Sequence, residues 1–256
     1  MDYGLIGGKL SHSYSKEIHE RLADYTYELC PLDENEFDGF MSRHEFKAIN
    51  VTIPYKKKVI PFLAGSDKGA EAIGAVNTIV NRDGKLYGYN TDYMGFNYML
   101  KKHDVDLAGK KVLVIGNGGA AQAIKACVRD AGAGSMVIVR RSADEESLSY
   151  DELYADHTDV DVIINTSPVG MYPDVDSSPI ELERFEKCTH VLDIIYNPIE
   201  TKLTAKAKEL GMTGITGLEM LIAQAKYAVE IFLDTSIDDS RIDEIYMEMS
   251  EDLRKC

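Results

Sequence analysis

The chain has 256 residues, of which 45% are hydrophobic and 28% charged, and its formal net charge is −15. That composition suits one large globular domain or two modest ones with sizeable cores. The negative field disfavours nucleic acid and anionic membrane surfaces as partners, and no apolar run reaches the roughly 18 residues of a membrane helix. An anionic ligand must therefore be held by locally placed cations and N–H donors.

The first residues, Met1-Asp2-Tyr3-Gly4-Leu5-Ile6-Gly7, read as a strand entering a glycine turn. They lack the charged and apolar regions of a signal peptide, so a cytoplasmic protein is expected. Cys30, Cys127, Cys188 and Cys256 form no C-x-x-C pair, and the six histidines show no ligand spacing. Reduced thiols and no metal centre are expected.

Short apolar runs then alternate with amphipathic stretches, the pattern of an α/β unit. Strands are predicted at residues 3–6, 26–30 and 48–52, and helices at 15–25, 34–42 and 55–63. Residues 77–81 and 86–90 flank Asp83-Gly84, a hairpin-turn pair. A connecting helix is expected over 92–103. Within this region Asn50-Val51-Thr52-Ile53-Pro54-Tyr55-Lys56 stands out. An apolar strand stops at Thr52, and Pro54 has no N–H for a ladder but fits the first turn of a helix. Asn50, Thr52 and Lys56 then crowd one stiff turn, an arrangement suited to a small polyhydroxylated substrate. Taken alone, Lys56 reads more simply as a surface lysine beside Lys57 and Lys58.

A second pattern begins at Lys110. Val112-Leu113-Val114-Ile115 lacks polar alternation, as in a parallel strand buried on both faces. Similar runs at 136–139, 160–164 and 191–195, spaced by helical segments, predict a doubly wound parallel sheet. A helix is expected over 201–210, closed by Gly211. Directly after the first run comes Gly116-Asn117-Gly118-Gly119-Ala120-Ala121. It fits G-x-G-x-x-A, with Gly116 for the tight turn, Gly118 for close approach of a pyrophosphate and Ala121 for helix–strand packing. The helix that follows aims its N–H groups and positive dipole end at the same place. Proteins that bind NAD in this way carry an acidic residue ~20 residues further on. Here Arg140-Arg141-Ser142 stands at that position, a guanidinium pair suited to the 2′-phosphate of NADP, although Asp144, Glu145 and Glu146 follow. The apolar stretch 218–233 and a last helix to 255, opened by a Ser240/Asp243 capping pair, have no strands of their own and must pack on one of the two units.

With the strand-turn-lysine motif and this glycine loop in one chain, the sequence closely resembles the shikimate dehydrogenase family, from Gly7 to about Phe232. His12-Ser13-Tyr14-Ser15 is similar to the family's H-S-x-S loop, whose serines hold the substrate carboxylate. The segment from Asn50 to Lys56 resembles N-V-T-x-P-x-K, which supplies the catalytic lysine. Gly74-Ala75-Val76-Asn77-Thr78 and Asn90-Thr91-Asp92 resemble segments that contribute a substrate-binding Asn77 and a catalytic Asp92. Asn165-Thr166-Ser167-Pro168-Val169-Gly170-Met171 is similar to the loop lining the nicotinamide pocket. Tyr196-Asn197-Pro198 and Gly217-Leu218-Glu219-Met220-Leu221, with Gln224, resemble the remaining signatures.

The resemblance thus implies catalysis by Lys56 and Asp92. It implies substrate binding by Ser13, Ser15, Asn50, Thr52, Asn77, Tyr196 and Gln224. For the cofactor it implies Gly116, Asn117, Gly118, Gly119, Ala120, Ala121, Arg140, Arg141, Ser142, Thr166, Met171 and Gly217. It also implies two α/β domains: a substrate domain of residues 1–92 completed by 218–256, and a Rossmann-type NADP domain of 93–217. Two departures are visible. The family's usual tail Q-A-x-x-x-F-x-x-W has no tryptophan here, with Ile231-Phe232-Leu233 near that place, and Arg140 replaces the asparagine of a frequent N-R-T.

The implied reaction is reversible NADP-dependent oxidation of shikimate to 3-dehydroshikimate on the route to chorismate, by a monomer or homodimer. The alternatives are a quinate/shikimate enzyme using NAD and a catalytically silent cofactor-binding regulator. For Lys56 two roles stay open: acid–base partner with Asp92, or fixed ammonium beside a developing alkoxide.

Overall fold

The computed structural model describes residues 1–10 and 13–253. His12 of the serine loop, Cys256 and the expected end of the last helix lie outside the described residues. The chain forms two compact units, Met1–Phe96 with Ile222–Ile245, and Asn97–Leu221 with the residues from Tyr246 onward.

The first unit carries β1 (Tyr3–Gly7), α1 (Ser15–Leu22), β2 (Tyr27–Pro31), α2 (Glu34–Arg43), β3 (Ala48–Val51), β4 (Gly65–Ser66), α3 (Lys68–Ile73), β5 (Thr78–Arg82) and β6 (Lys85–Tyr89). Its six-stranded mixed sheet has the order β2-β1-β3-β5-β6-β4. β1 pairs in parallel with β2 and β3, and the β5–β6 hairpin turns at Asp83-Gly84 as its sequence requires. Ile6, Phe37, Met41, Ile49, Tyr55, Val59 and Leu86 form one core cluster. Tyr27, Ala48, Ala228 and Phe232 belong to another, so the apolar residues at 228–232 pack within this unit.

The helix expected over 55–63 does not form. Its ladder needs the Lys56 carbonyl to accept from Ile60, but that oxygen takes the Val76 N–H at 2.8 Å, and the Ile60 N–H turns back to Lys57. Pro61 has no N–H to offer Lys57 in an α-helical bond. The segment becomes successive turns ending in a 3₁₀ turn at Ile60–Phe62. β4 and α3, which carry no strong periodicity, were not expected and follow it.

The second sheet is built from β7 (Lys111–Ile115), β8 (Ser135–Val139), β9 (Val162–Asn165), β10 (His190–Asp193) and β11 (Thr213–Ile215). α4 (Thr91–Lys102) precedes it, and α5 (Gly119–Asp130), α6 (Tyr150–Asp156) and α7 (Lys202–Glu209) connect its strands. All pairings are parallel, in the order β11-β10-β9-β7-β8. The chain leaves β7 first toward the edge strand β8 and then crosses back to β9. That reversal is a topological switch point, and doubly wound sheets bind ligands at the carboxyl ends of the strands there. Val112 to Ile115 are fully buried, as their unbroken apolar run requires. Leu113, Ile163, Phe185, Val191 and Leu203 centre the core.

Two helices close the chain, α8 (Leu218–Leu233) and α9 (Ser240–Leu253). The expected Ser240 cap is displaced: Ser240 already lies in α9, and Asp238 Oδ1 accepts its N–H at 2.9 Å. Among the described residues no helix is long and apolar enough to cross a membrane.

Candidate active site

Lys56 and Asp92 meet. Lys56 Nζ lies 2.5 Å from Asp92 Oδ2, with the two side chains only 13% and 12% exposed. That separates Lys56 from its neighbours. Lys57 is exposed, and Lys58 reaches out to Glu34 as an ordinary surface pair. Local structure holds the lysine in place. Tyr55 beside it is buried, stacks on Phe37 at 4.3 Å and donates its hydroxyl to the Leu32 carbonyl at 2.6 Å. The Lys56 carbonyl is tied to Val76, and Thr52 accepts the Tyr55 N–H at 2.9 Å.

Asp92 sits in the first turn of α4, where the helix dipole favours a carboxylate. It need not cap that helix, because Asn90 Oδ1 accepts the Tyr93 N–H at 3.3 Å and Asn77 Oδ1 takes the Thr91 N–H at 2.7 Å. Other residues do the capping, and the Asp92 carboxylate is left for the lysine.

Behind the pair runs a buried polar chain. Tyr27 donates its hydroxyl to Asn50 Oδ1 at 2.7 Å, and Asn50 Nδ2 donates to Asn77 O at 3.2 Å and to Thr78 Oγ1 at 3.0 Å. Both amide hydrogens of Asn50 are thus used within the protein, which makes it a brace for β3 and β5. Asn77 Nδ2 donates to Thr91 Oγ1 at 3.1 Å, leaving one amide hydrogen for a ligand among the described contacts. Thr91 Oγ1 lies 3.5 Å from Gln224 Oε1, so α8 brings Gln224 to the same cluster across 133 residues of sequence. Ser13 Oγ accepts the Ser15 N–H at 3.3 Å at the start of α1, and both serines, like Thr52, are half-buried. Tyr27 and Thr91 were missed. Thr91 lay inside a quoted motif, whereas nothing in the sequence marks Tyr27.

In the second unit Gly116 leaves β7 with φ +96°, and an added Cβ would lie 2.9 Å from Thr166 Oγ1. Thr166, the first residue after β9, donates to the Ile115 carbonyl at 2.7 Å. The glycine loop and the Thr166 loop therefore flank the switch point together. Gly118 opens α5 without a side-chain cap, and a Cβ there would meet nothing within 4 Å. Space and N–H donors of this kind fit a dinucleotide pyrophosphate. Ala121 is fully buried against the sheet, while Gly119 and Ala120 are half-buried in the first turn. Asn117 Oδ1 accepts from Gln122 Nε2 at 3.1 Å and from the buried Lys125 Nζ at 2.8 Å, which stiffens the loop. Arg140, Arg141 and Ser142 follow β8 directly. Arg141 and Ser142 are exposed, and Arg140 pairs with Asp144. Met171 is exposed and Tyr196 half-buried, on the loops after β9 and β10, with Gly217 just beyond β11.

Sequence reasoning also missed the buried support of these loops. Asn165 Oδ1 takes the N–H and hydroxyl of Ser167 at 3.0 and 2.7 Å, and its Nδ2 donates to Asp193 Oδ1 at 3.0 Å. Asp193 also accepts from Ile195 N at 3.1 Å and Thr201 Oγ1 at 2.8 Å. Burial pushes its carboxyl up to about 6, against these three hydrogen bonds, which pull it down. An acid with a raised folded pKa binds its proton more tightly when folded. Its charge therefore costs stability above about pH 6, and the cost fades as pH falls toward the unfolded value near 4. Asp193→Asn keeps an oxygen for Asn165 and Ile195, so its melting temperature relative to wild type should be higher at pH 8 than at pH 5. An equal offset at both pH values in thermal melts would show that no charge is buried there.

The parallel sheet with its glycine loop at the switch point, and the nearly buried Lys–Asp pair of the other unit, define the class of a dinucleotide-dependent oxidoreductase. Comparison with known proteins narrows the class. Residues 5–79 match the family described as shikimate dehydrogenase substrate binding domain. A shikimate dehydrogenase (NADP(+)) of Clostridium perfringens is 40% identical, over 96% of this chain and 97% of that protein. A crystal structure of a chorismate mutase/shikimate 5-dehydrogenase fusion protein from Clostridium acetobutylicum superposes with a TM-score of 0.93 at 37% identity, covering 99% of this chain and 98% of that one. Shikimate 5-dehydrogenase from Thermus thermophilus, in complex with NADP(H) and shikimate, gives a TM-score of 0.84 at 28% identity, over 95% and 97% of the two chains. The chain belongs to the shikimate dehydrogenase family.

Proposed function

We propose that this chain catalyses the reversible, NADP-dependent oxidation of shikimate to 3-dehydroshikimate, a step in aromatic amino-acid biosynthesis. The observation that carries the reading is Lys56 Nζ at 2.5 Å from Asp92 Oδ2, nearly buried and beside Asn77, Thr91 and Gln224. NADP, when bound, accepts or returns the hydride. The protein's own residues manage the ring and one proton. Lys56, held by Asp92, gives its proton to the ketone oxygen in reduction and recovers it from the hydroxyl in oxidation. The Asp92 carboxylate, 2.5 Å from Nζ, keeps the amine aimed at the reacting oxygen.

In the same reading Ser13 and Ser15 hold the substrate carboxylate. Thr52, the remaining amide hydrogen of Asn77, Tyr196 and Gln224 hold the hydroxyls, and Asn50 positions Asn77. The glycine loop, Thr166, Met171 and Gly217 seat the cofactor, with Arg141, Ser142 and Arg140 toward its 2′-phosphate. Met1–Phe96 with Ile222–Ile245 serves as the substrate domain and the other unit as the cofactor domain. The enzyme works in the cytoplasm as a monomer or homodimer.

Steady-state kinetics with both cofactors and both acids test this reading. The kcat/KM for shikimate with NADP should exceed that for quinate with either cofactor by about tenfold or more, within the range by which a site rejects a substrate that carries one extra hydroxyl. Equal or better use of quinate would overturn the substrate assignment.

A further inference from the structure

The loop after β8 sets Arg140 against a carboxylate of its own chain. Arg140 Nη1 donates to Asp144 Oδ2 at 2.6 Å, with the side chains 39% and 44% exposed. The second carboxylate oxygen is tied to the loop, where Oδ1 accepts the Ser147 hydroxyl at 2.6 Å and the Glu146 N–H at 3.2 Å. Backbone bonds from Asp144 N to Ser147 O and from Ser147 N to Asp144 O, both 3.2 Å, close the turn. The Leu148 N–H then returns to Ile138 of β8 at 2.8 Å. Asp144 is therefore a carboxylate aimed by the backbone at the first arginine after the strand.

We infer that Asp144 is a specificity-determining residue that holds Arg140 in place of the cofactor's 2′-phosphate, so that NADP must displace it and NAD need not. The inference rests on the reading that Arg140 and Arg141 face that phosphate. A carboxylate and a phosphate oxygen satisfy a guanidinium in the same geometry, so each can replace the other. An ion pair this exposed is weak enough to exchange, and the phosphate brings more charge than the carboxylate it displaces. After exchange Asp144 remains close as a like charge, which lowers the preference for NADP below what two unopposed arginines would give.

Calorimetric titration of the full chain tests this, with NADP, NAD, adenosine 2′,5′-bisphosphate and AMP as probes. Asp144→Asn keeps an oxygen for Ser147 and Glu146 and removes both the charge and the acceptor that faces Arg140. NADP and the bisphosphate should bind about threefold or more tighter, the scale of an exposed ion pair, with NAD and AMP changed by less than about 1.5-fold. Adding Arg140→Gln should abolish the gain. Unchanged or weaker NADP binding in Asp144→Asn that melts like wild type overturns the inference, as does an equal gain for NAD. If that variant melts early, Asp144→Ser, which also removes the charge facing Arg140, decides: it must tighten NADP relative to NAD, and an equal effect on both overturns the inference. Wild-type protein that binds NADP no tighter than NAD would instead refute the underlying reading of the cofactor site.

Discussion

Lys56→Ala is expected to lower kcat for shikimate by at least ~10²-fold, the scale of a lost acid–base or electrostatic group. KM should change little, because Ser13, Ser15, Asn77 and Gln224 remain to hold the ring. Asp92→Asn should also lower kcat. The double variant should lose less than the two single losses combined, because the pair in contact at 2.5 Å acts as a unit. Thermal melts separate chemistry from folding. Removing the lysine leaves a nearly buried carboxylate alone, whereas Asp92→Asn spares the α4 cap that Asn90 provides. A folded Lys56→Ala protein that turns over within about threefold of wild type would return Lys56 to the status of a surface lysine.

Gly217→Ala should produce the largest loss of stability. A Cβ there would lie 2.1 Å from Ile194 O and 2.3 Å from its carbonyl carbon, both backbone atoms that no rotamer change can move. The same glycine donates its N–H to the Ile195 carbonyl at 2.9 Å, so the segment after β11 cannot back away without breaking that bond. We expect at least ~3 kcal/mol of destabilisation, at the upper end of overpacking, or a melting temperature lower by about 6 °C or more. Gly118→Ala is the contrast. Its methyl meets nothing within 4 Å, so the protein should melt like wild type and lose affinity for NADP where the pyrophosphate approaches. Calorimetry beside thermal melts checks both. A Gly217→Ala protein as stable as wild type would show that this close approach relaxes freely.

The second unit was largely legible because buried parallel strands write themselves as unbroken apolar runs. Val112 to Ile115 and the runs near β8, β9 and β10 fell within a few residues of their observed places. Helix–strand alternation then left little freedom in topology. The first unit was harder to read. At 55–63 the amphipathic pattern predicted a helix, yet the Lys56 carbonyl goes to Val76 and Pro61 cannot donate, a long-range bond that local periodicity does not record. Lys56 and Asp92 were legible as motif residues, but their contact spans 36 positions and follows from the sheet. Tyr27, Asn165 and Asp193 were not legible as supports. Burial and hydrogen bonding define their roles: Tyr27 and Asp193 are ordinary residues at strand ends in sequence, and Asn165 opened a motif without showing that it braces Ser167 and Asp193.

In the proposed reaction hydride leaves the ring carbon of shikimate for NADP while Lys56 manages the proton. The most direct measurement uses shikimate deuterated at the carbon that bears the reacting hydroxyl, with mass spectrometry of both products. One deuterium is expected in NADPH for each 3-dehydroshikimate formed by the wild-type protein. Folded wild-type protein that binds both ligands and transfers no deuterium to NADP would contradict it.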